Sequence, residues 1–230
     1  MSSMEYTIIY YGLPIIGLII TSIAQLLITT NYSKYKQVLS KNNYQGCNVA
    51  RKILDKHGLN NISIEEVSGN LTDHYDPSKK VVRLSSDIYN GTSIASVSVA
   101  AHECGHAIQD KVGYTPMRIR SKLVPIVNFS TKIGYLVIVI GLAAGALKIA
   151  TIGIILLSTM LLFQLVTLPV EFDASSRALK QIEKLGLVTK EDSEGSKKVL
   201  KAAALTYVAA VLSSVLNLIR ILSYYDNRRR

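Results

Sequence analysis

From Tyr6 to Thr29 the chain carries no charged residue. A helix of that length crosses a hydrocarbon core of roughly 30 Å, and an aqueous fold has little use for it. A second apolar block extends from Leu123 to Val170, interrupted only by Lys132 and Lys148, and a third from Ala202 to Leu222. The middle block is long enough for two crossings, so it predicts a helical hairpin turning near Lys148. Pro125 and Pro169 fall toward its outer ends, where proline is tolerated, and Gly141 and Gly145 give the small-xxx-small spacing that lets helices approach closely. The third block places Thr206, Ser213, Asn217 and Arg220 on one helical face. It fits either a fourth span with its polar side inside a bundle or an amphipathic helix lying in the interface.

Segment 6–30 is expected to stay as an anchor, since it lacks the basic leader and small-residue cleavage site of a signal peptide. Only Glu5 is charged before it, whereas Lys34, Lys36 and Lys41 follow closely and Arg118, Arg120 and Lys122 precede the hairpin. The positive-inside tendency therefore predicts that segment 31–122 faces the cytoplasm. The hairpin, 123–170, then returns segment 171–201 to that same side. A fourth span at 202–222 would put the basic tail, 223–230, on the other side, against the tendency. The net charge of +10 predicts attraction to anionic lipid head groups rather than nucleic acid, because no aromatic-basic nucleic-acid motif accompanies it. Cys47 and Cys104 are too few for a disulfide framework and fit a reducing compartment.

Between the apolar blocks, "CNVARKILDKHG" sets Val49, Ile53 and Leu54 on one face before Gly58, a short amphipathic helix ending at His57. "NISIEEV", "NLTDHY" and "KVVRLS" are short β-prone runs, the last two joined by the turn "DPSK", which predicts a small antiparallel hairpin sheet. The strand Val81–Ser85 is a candidate edge for an added substrate strand. "NGTSIASVSVAAHECGHAIQDKVG" follows with a turn, Thr92 or Ser93 as N-cap, and Gly113 as a stop. The stretch "AHECGHAIQD" therefore lies on a helix.

Residues four apart on a helix share a face, so His102 and His106 can direct imidazole nitrogens at one ion, at about 2.0–2.1 Å each. Glu103, one step round, can reach a water at that ion without binding it, and take its proton as the water attacks a carbonyl. Cys104 points away from such a centre. A catalytic zinc takes three protein ligands, and the best third candidate is Glu171 in "LPVEFDASSRALKQIEK". It is an acid at the membrane edge, expected to open a new helix. His102 and His106 precede the hairpin and Glu171 follows it, so a hairpin brings all three to one bilayer surface. Asp173, His74, Tyr75, Tyr114 and Arg177 are weaker candidates for supporting the ligands or donating to an oxyanion.

These residues resemble the membrane-embedded gluzincin peptidases, most closely the neutral zinc metallopeptidases of the YugP type. The resemblance rests, in order, on "NLTDHYDPSKKVVRLS", "AAHECGHAIQD", "GYTPMRIR", the hairpin and "PVEFDASSRA". It implies a cytoplasm-facing zinc endopeptidase of bacterial membranes. In the broader group the ligand glutamate is followed by an aromatic, a free position, alanine and aspartate. Here the order is Glu171, Phe172, Asp173, Ala174 and Ser175, so the aspartate is missing at Ser175.

The expected protein is an integral membrane α+β chain with three or four transmembrane helices and a small gluzincin-like core. That core comprises a short antiparallel hairpin sheet, the HExxH helix and the third-ligand helix. Zn2+ would sit on His102, His106 and Glu171, with Glu103 as the catalytic base acting on membrane-proximal or unfolded polypeptides. The rival is a membrane scaffold that binds metal and cuts nothing, for which an uncoordinated Glu103 has no purpose.

Overall fold

Residues 3–229 are described by the structure, a computed structural model. Ser3–Thr7 (α1) passes through a π-helical stretch, Ile8–Gly12, into Leu13–Lys36 (α2). Gly46–Lys56 (α3) leads to the strands Ser63–Val67 (β1), His74–Asp76 (β2) and Val81–Ser85 (β3), the single turn Ser86–Tyr89 (α4) and Ile94–Lys111 (α5). Three long helices complete the chain: Thr115–Ala143 (α6), Leu147–Lys184 (α7) and Lys190–Arg229 (α8). The chain divides into two compact units. One is purely helical and holds the chain up to Gln25, Arg118–Leu168 and Thr206 onward; the other holds Leu26–Met117 and Pro169–Leu205.

Four helices are long and apolar enough to cross a membrane: Met4–Lys36, Thr115–Ala143, Leu147–Lys184 and Lys190–Asn227. Leu18, Ile19, Val139, Ile155, Leu162 and Leu212 all stand exposed on them. Continuous apolar surface of that kind belongs against lipid rather than water. The third apolar block is thus the second half of one long helix, and the basic tail continues it through Arg229, with Arg230 outside the described residues.

The α6/α7 turn shows why two predicted glycines differ. Gly145 adopts φ +64°, while the Ala146 N–H donates to the Gly141 carbonyl at 2.8 Å. That is a left-handed helix stop, so Gly145 serves the turn and not helix packing. Gly141 does the packing: a Cβ there would lie 2.4 Å from the Ala150 nitrogen. Pro125 and Pro169 lie inside α6 and α7 rather than at helix ends. Both helices run past the apolar blocks into polar sequence, and long apolar helices accommodate the lost backbone bond.

In the second unit the amphipathic α3 and the N-capped α5 form as expected, with Ser93 Oγ accepting the Ser96 N–H at 3.1 Å. Val49, Ile53 and Leu54 pack with Val82, Leu84, Val97 and Ala101 into one core. The sheet is mixed, not a simple antiparallel hairpin. Its order is β1-β3-β2, with β2 antiparallel and β1 parallel to β3. Short polar runs do not encode that parallel pairing, which is set by where the loop at 68–73 delivers the chain. In consequence Val81–Ser85 is the central strand, flanked on both sides, and has no free edge for a substrate. Asp76 Oδ1 accepts the Ser78 and Lys79 N–H groups and holds the β2/β3 turn.

Replacing Gly141 by valine should destabilise the detergent-solubilised protein by about 1–3 kcal/mol or more, because backbone of α7 occupies the space. Gly145→Ala should cost only about 1 kcal/mol, the strain of its φ. Thermal unfolding of both variants checks the ordering.

Candidate metal centre

α5 is pinned at its first turn and buried along most of its length, so its side chains have fixed directions. It crosses α7 at Gly105: a Cβ there would lie 2.5 Å from the Ala174 carbonyl oxygen. The glycine inside "HECGH" therefore permits backbone-to-backbone approach, and one turn of α7 comes level with both histidines. Glu171 does not open a new helix, as the sequence suggested. α7 runs unbroken through it from Leu147 to Lys184, because "PVEFDASSRALKQIEK" continues a helical pattern without a stop.

The crossing brings His102, His106 and Glu171 together, with one ligand atom from each lying within 4.8 Å of the others. His102 Nε2 is 3.2 Å and His106 Nε2 3.7 Å from Glu171 Oε2. Ligands on a tetrahedral ion with bonds of about 2.0–2.1 Å stand roughly 3.4 Å apart, so both contacts have metal-site dimensions. Glu171 is 2% exposed and His106 7%. Two neutral imidazoles and a carboxylate are the donor set zinc favours.

The far side of each ring supports the same assignment. His102 Nδ1 is 3.2 Å from Ser175 Oγ, and His106 Nδ1 is 3.0 Å from Gln109 Oε1. Gln109, fully buried, donates from Nε2 to the Val170 carbonyl at 2.8 Å and to Asp173 Oδ2 at 2.9 Å. Its amide nitrogen being spent on two acceptors, its oxygen must face the histidine. His106 then donates from Nδ1 to Gln109 and faces Glu171 with Nε2. Arg177 Nε donates to Asp173 at 2.6 Å and holds the outer end of this chain of bonds.

Glu103 lies outside the cluster but in its electrostatic field. Burial pushes its carboxyl up to about 7; His102 pulls it down, the negative Glu171 and Asp73 push it up, and the Tyr75 backbone N–H donates to it. Asp73 is itself raised by burial, although it accepts from the Ser85 N–H at 2.7 Å and the Ser85 hydroxyl at 3.1 Å. Cys104 faces the Ala50 carbonyl, away from the histidines, and burial raises its thiol.

The weaker candidates sort themselves. Tyr75 meets Glu103 through its backbone, while its hydroxyl donates to Asp110 at 2.7 Å. His74 is exposed on the sheet edge, bonded to the Thr72 carbonyl and to Arg83. Arg177 is committed to Asp173, and the Tyr114 hydroxyl to the Pro169 carbonyl at 3.4 Å. None of these four side chains joins the cluster. Gln109 and Asp73 were not singled out from sequence; Gln109 could have been, since it follows His106 by three residues and so shares its face.

Membership in a family of zinc peptidases follows from comparison. The chain belongs to the family described as "Putative neutral zinc metallopeptidase", whose pattern it matches over residues 10–226. It is 45% identical over 206 residues to the "Putative membrane protease YugP" of Bacillus subtilis (strain 168), covering 90% of this chain and 92% of that one. No solved structure matches it.

Gln109→Leu removes the amide oxygen that meets His106 Nδ1, and should weaken zinc affinity by about 10- to 100-fold. Ser175→Ala should weaken it less, since a hydroxyl can turn and a water can replace it. Competitive zinc titration of the purified variants measures both.

Proposed function

We propose that the chain is a multi-pass membrane zinc endopeptidase of the gluzincin type, hydrolysing peptide bonds in membrane-proximal or unfolded polypeptides. One observation carries the proposal: two imidazole Nε2 atoms and a buried carboxylate oxygen converge, each ring backed by a hydrogen-bond partner. His102, His106 and Glu171 would hold the ion. Bound zinc supplies a Lewis acid that makes water a nucleophile near neutral pH and polarises a carbonyl.

The chain's own groups supply the rest. Glu103 is a carboxyl that burial raises above the usual range; beside the ion it would be suited to take a proton from the attacking water and return it to the leaving amine. The Tyr75 N–H holds that carboxyl in place from the β2 edge. A metal-binding scaffold needs no buried carboxyl outside its ligand set, so Glu103 favours the enzyme. The name of the Bacillus subtilis relative, a membrane protease, agrees.

Glu171 stands three residues past Leu168, within one helical turn of the apolar part of α7, so the active site would open close to the bilayer surface. Lys34, Lys36, Lys41, Arg118, Arg120 and Lys122 flank the first spans and favour a cytoplasmic position for it.

Glu103→Gln should retain zinc and thermal stability yet lose at least ~100-fold in hydrolysis of an unfolded polypeptide such as casein. Glu171→Ala should lose stoichiometric zinc as well as activity. Metal analysis beside a proteolysis assay reads both; unchanged cleavage by Glu103→Gln would sink the mechanism.

A further inference from the structure

The polar stripe of α8 takes no part in the metal cluster. Ser213, Asn217 and Arg220 instead line a cleft of about 430 Å3 in the helical unit, together with Thr21 of α2 and Tyr135 of α6. Asn217 Nδ2 donates to the Tyr135 hydroxyl at 3.0 Å, and Arg220 Nη2 donates to Asn217 Oδ1 at 2.9 Å. A guanidinium has five N–H donors, and among the described residues none lining this cleft is acidic. In a bundle of apolar helices, a cation with no facing acid calls for an anion from outside the chain.

A second cavity of about 270 Å3 abuts the first. The two share Tyr135, Ser214 and Asn217, but the second is walled mainly by Leu157, Met160, Leu161 and Leu218. A cationic polar cleft beside an apolar cavity, with three lining residues in common, matches an amphiphile with an anionic head. Depth narrows the choice. Ser213 packs against Gly17, in the middle of the charge-free run of α2. Arg220 lies about two turns, or ~10 Å, further along α8. Its guanidinium turns back to Asn217, which sets the cation inside the outer part of a hydrocarbon half-thickness of roughly 15 Å, where the nearest outside anion is a lipid phosphate drawn down to it.

We propose that this cleft binds one anionic phospholipid, its phosphate on Arg220 beside the Asn217–Tyr135 pair and an acyl chain in the adjoining cavity. The inference rests on the helical unit lying in a bilayer, as proposed above. It gives the polar stripe of α8 a purpose separate from hydrolysis: a lipid wedged between α2, α6 and α8 ties the last helix to the others.

The test uses the full chain in two stages. Membranes are first washed with alkaline carbonate; release of the protein would overturn the bilayer placement and this site with it. Retained protein is then solubilised in detergent, offered equal amounts of phosphatidylglycerol and phosphatidylcholine, and weighed by native mass spectrometry. The parent should keep one phosphatidylglycerol about tenfold in preference, because its phosphate charge is not offset by a head-group cation as that of phosphatidylcholine is. Arg220→Gln should abolish the preference, and Tyr135→Phe, which retains the charge, should reduce it, with zinc content unchanged in both. Millimolar inorganic phosphate should not displace the lipid. Equal preference in Arg220→Gln, or none in the parent, would overturn the site as a lipid site; displacement by phosphate would assign it to free anions instead.

Discussion

Glu171 is a carboxylate almost wholly removed from water, and a group in that position must be met by strong partners or it will not stay charged. Two imidazoles meet it, at 3.2 and 3.7 Å. That encounter joins two segments far apart in sequence, the helix before the apolar hairpin and the polar end of the hairpin's own second helix. Ser175 and Gln109 back the two rings, so that one nitrogen of each ring arrives on the Glu171 side. A divalent cation among them would compensate the carboxylate and take an Nε2 ligand from each ring.

The meeting depends on how closely α5 and α7 cross. Gly105 has no room for a side chain against Ala174, and the same crossing carries Ser175 to His102 and Asp173 to Gln109. The aspartate that the broader group places at position 175 would orient a histidine directly. In this chain the work is divided: a hydroxyl at 175 backs His102, and an amide held by Asp173 and Val170 backs His106. Asp173 acts at one remove, which resolves how an acid on a different helix face can still support the ligands.

The parts of this structure that were legible in sequence are those with a local signature. Charge-free runs marked the long helices, Ser93 and Gly113 bounded α5, and the four-residue spacing put His102 and His106 on one face. What could not be read depends on distant pairings. The parallel β1–β3 ladder needed the path of the 68–73 loop, and the continuity of α7 through Glu171 was hidden by a change from apolar to polar composition that did not end the helix. Gln109 was passed over because an amide has no charge or metal affinity to draw attention, although it bears most directly on His106.

We propose that one nitrogen from each of His102 and His106 and an oxygen from Glu171 form a single inner sphere around zinc. X-ray absorption at the zinc edge of the metal-loaded full chain measures that sphere directly. Nitrogen and oxygen neighbours only are expected, at about 2.0–2.1 Å, with the outer-shell scattering of two imidazole rings. A sulfur neighbour near 2.3 Å, or scattering from fewer than two rings, would contradict it.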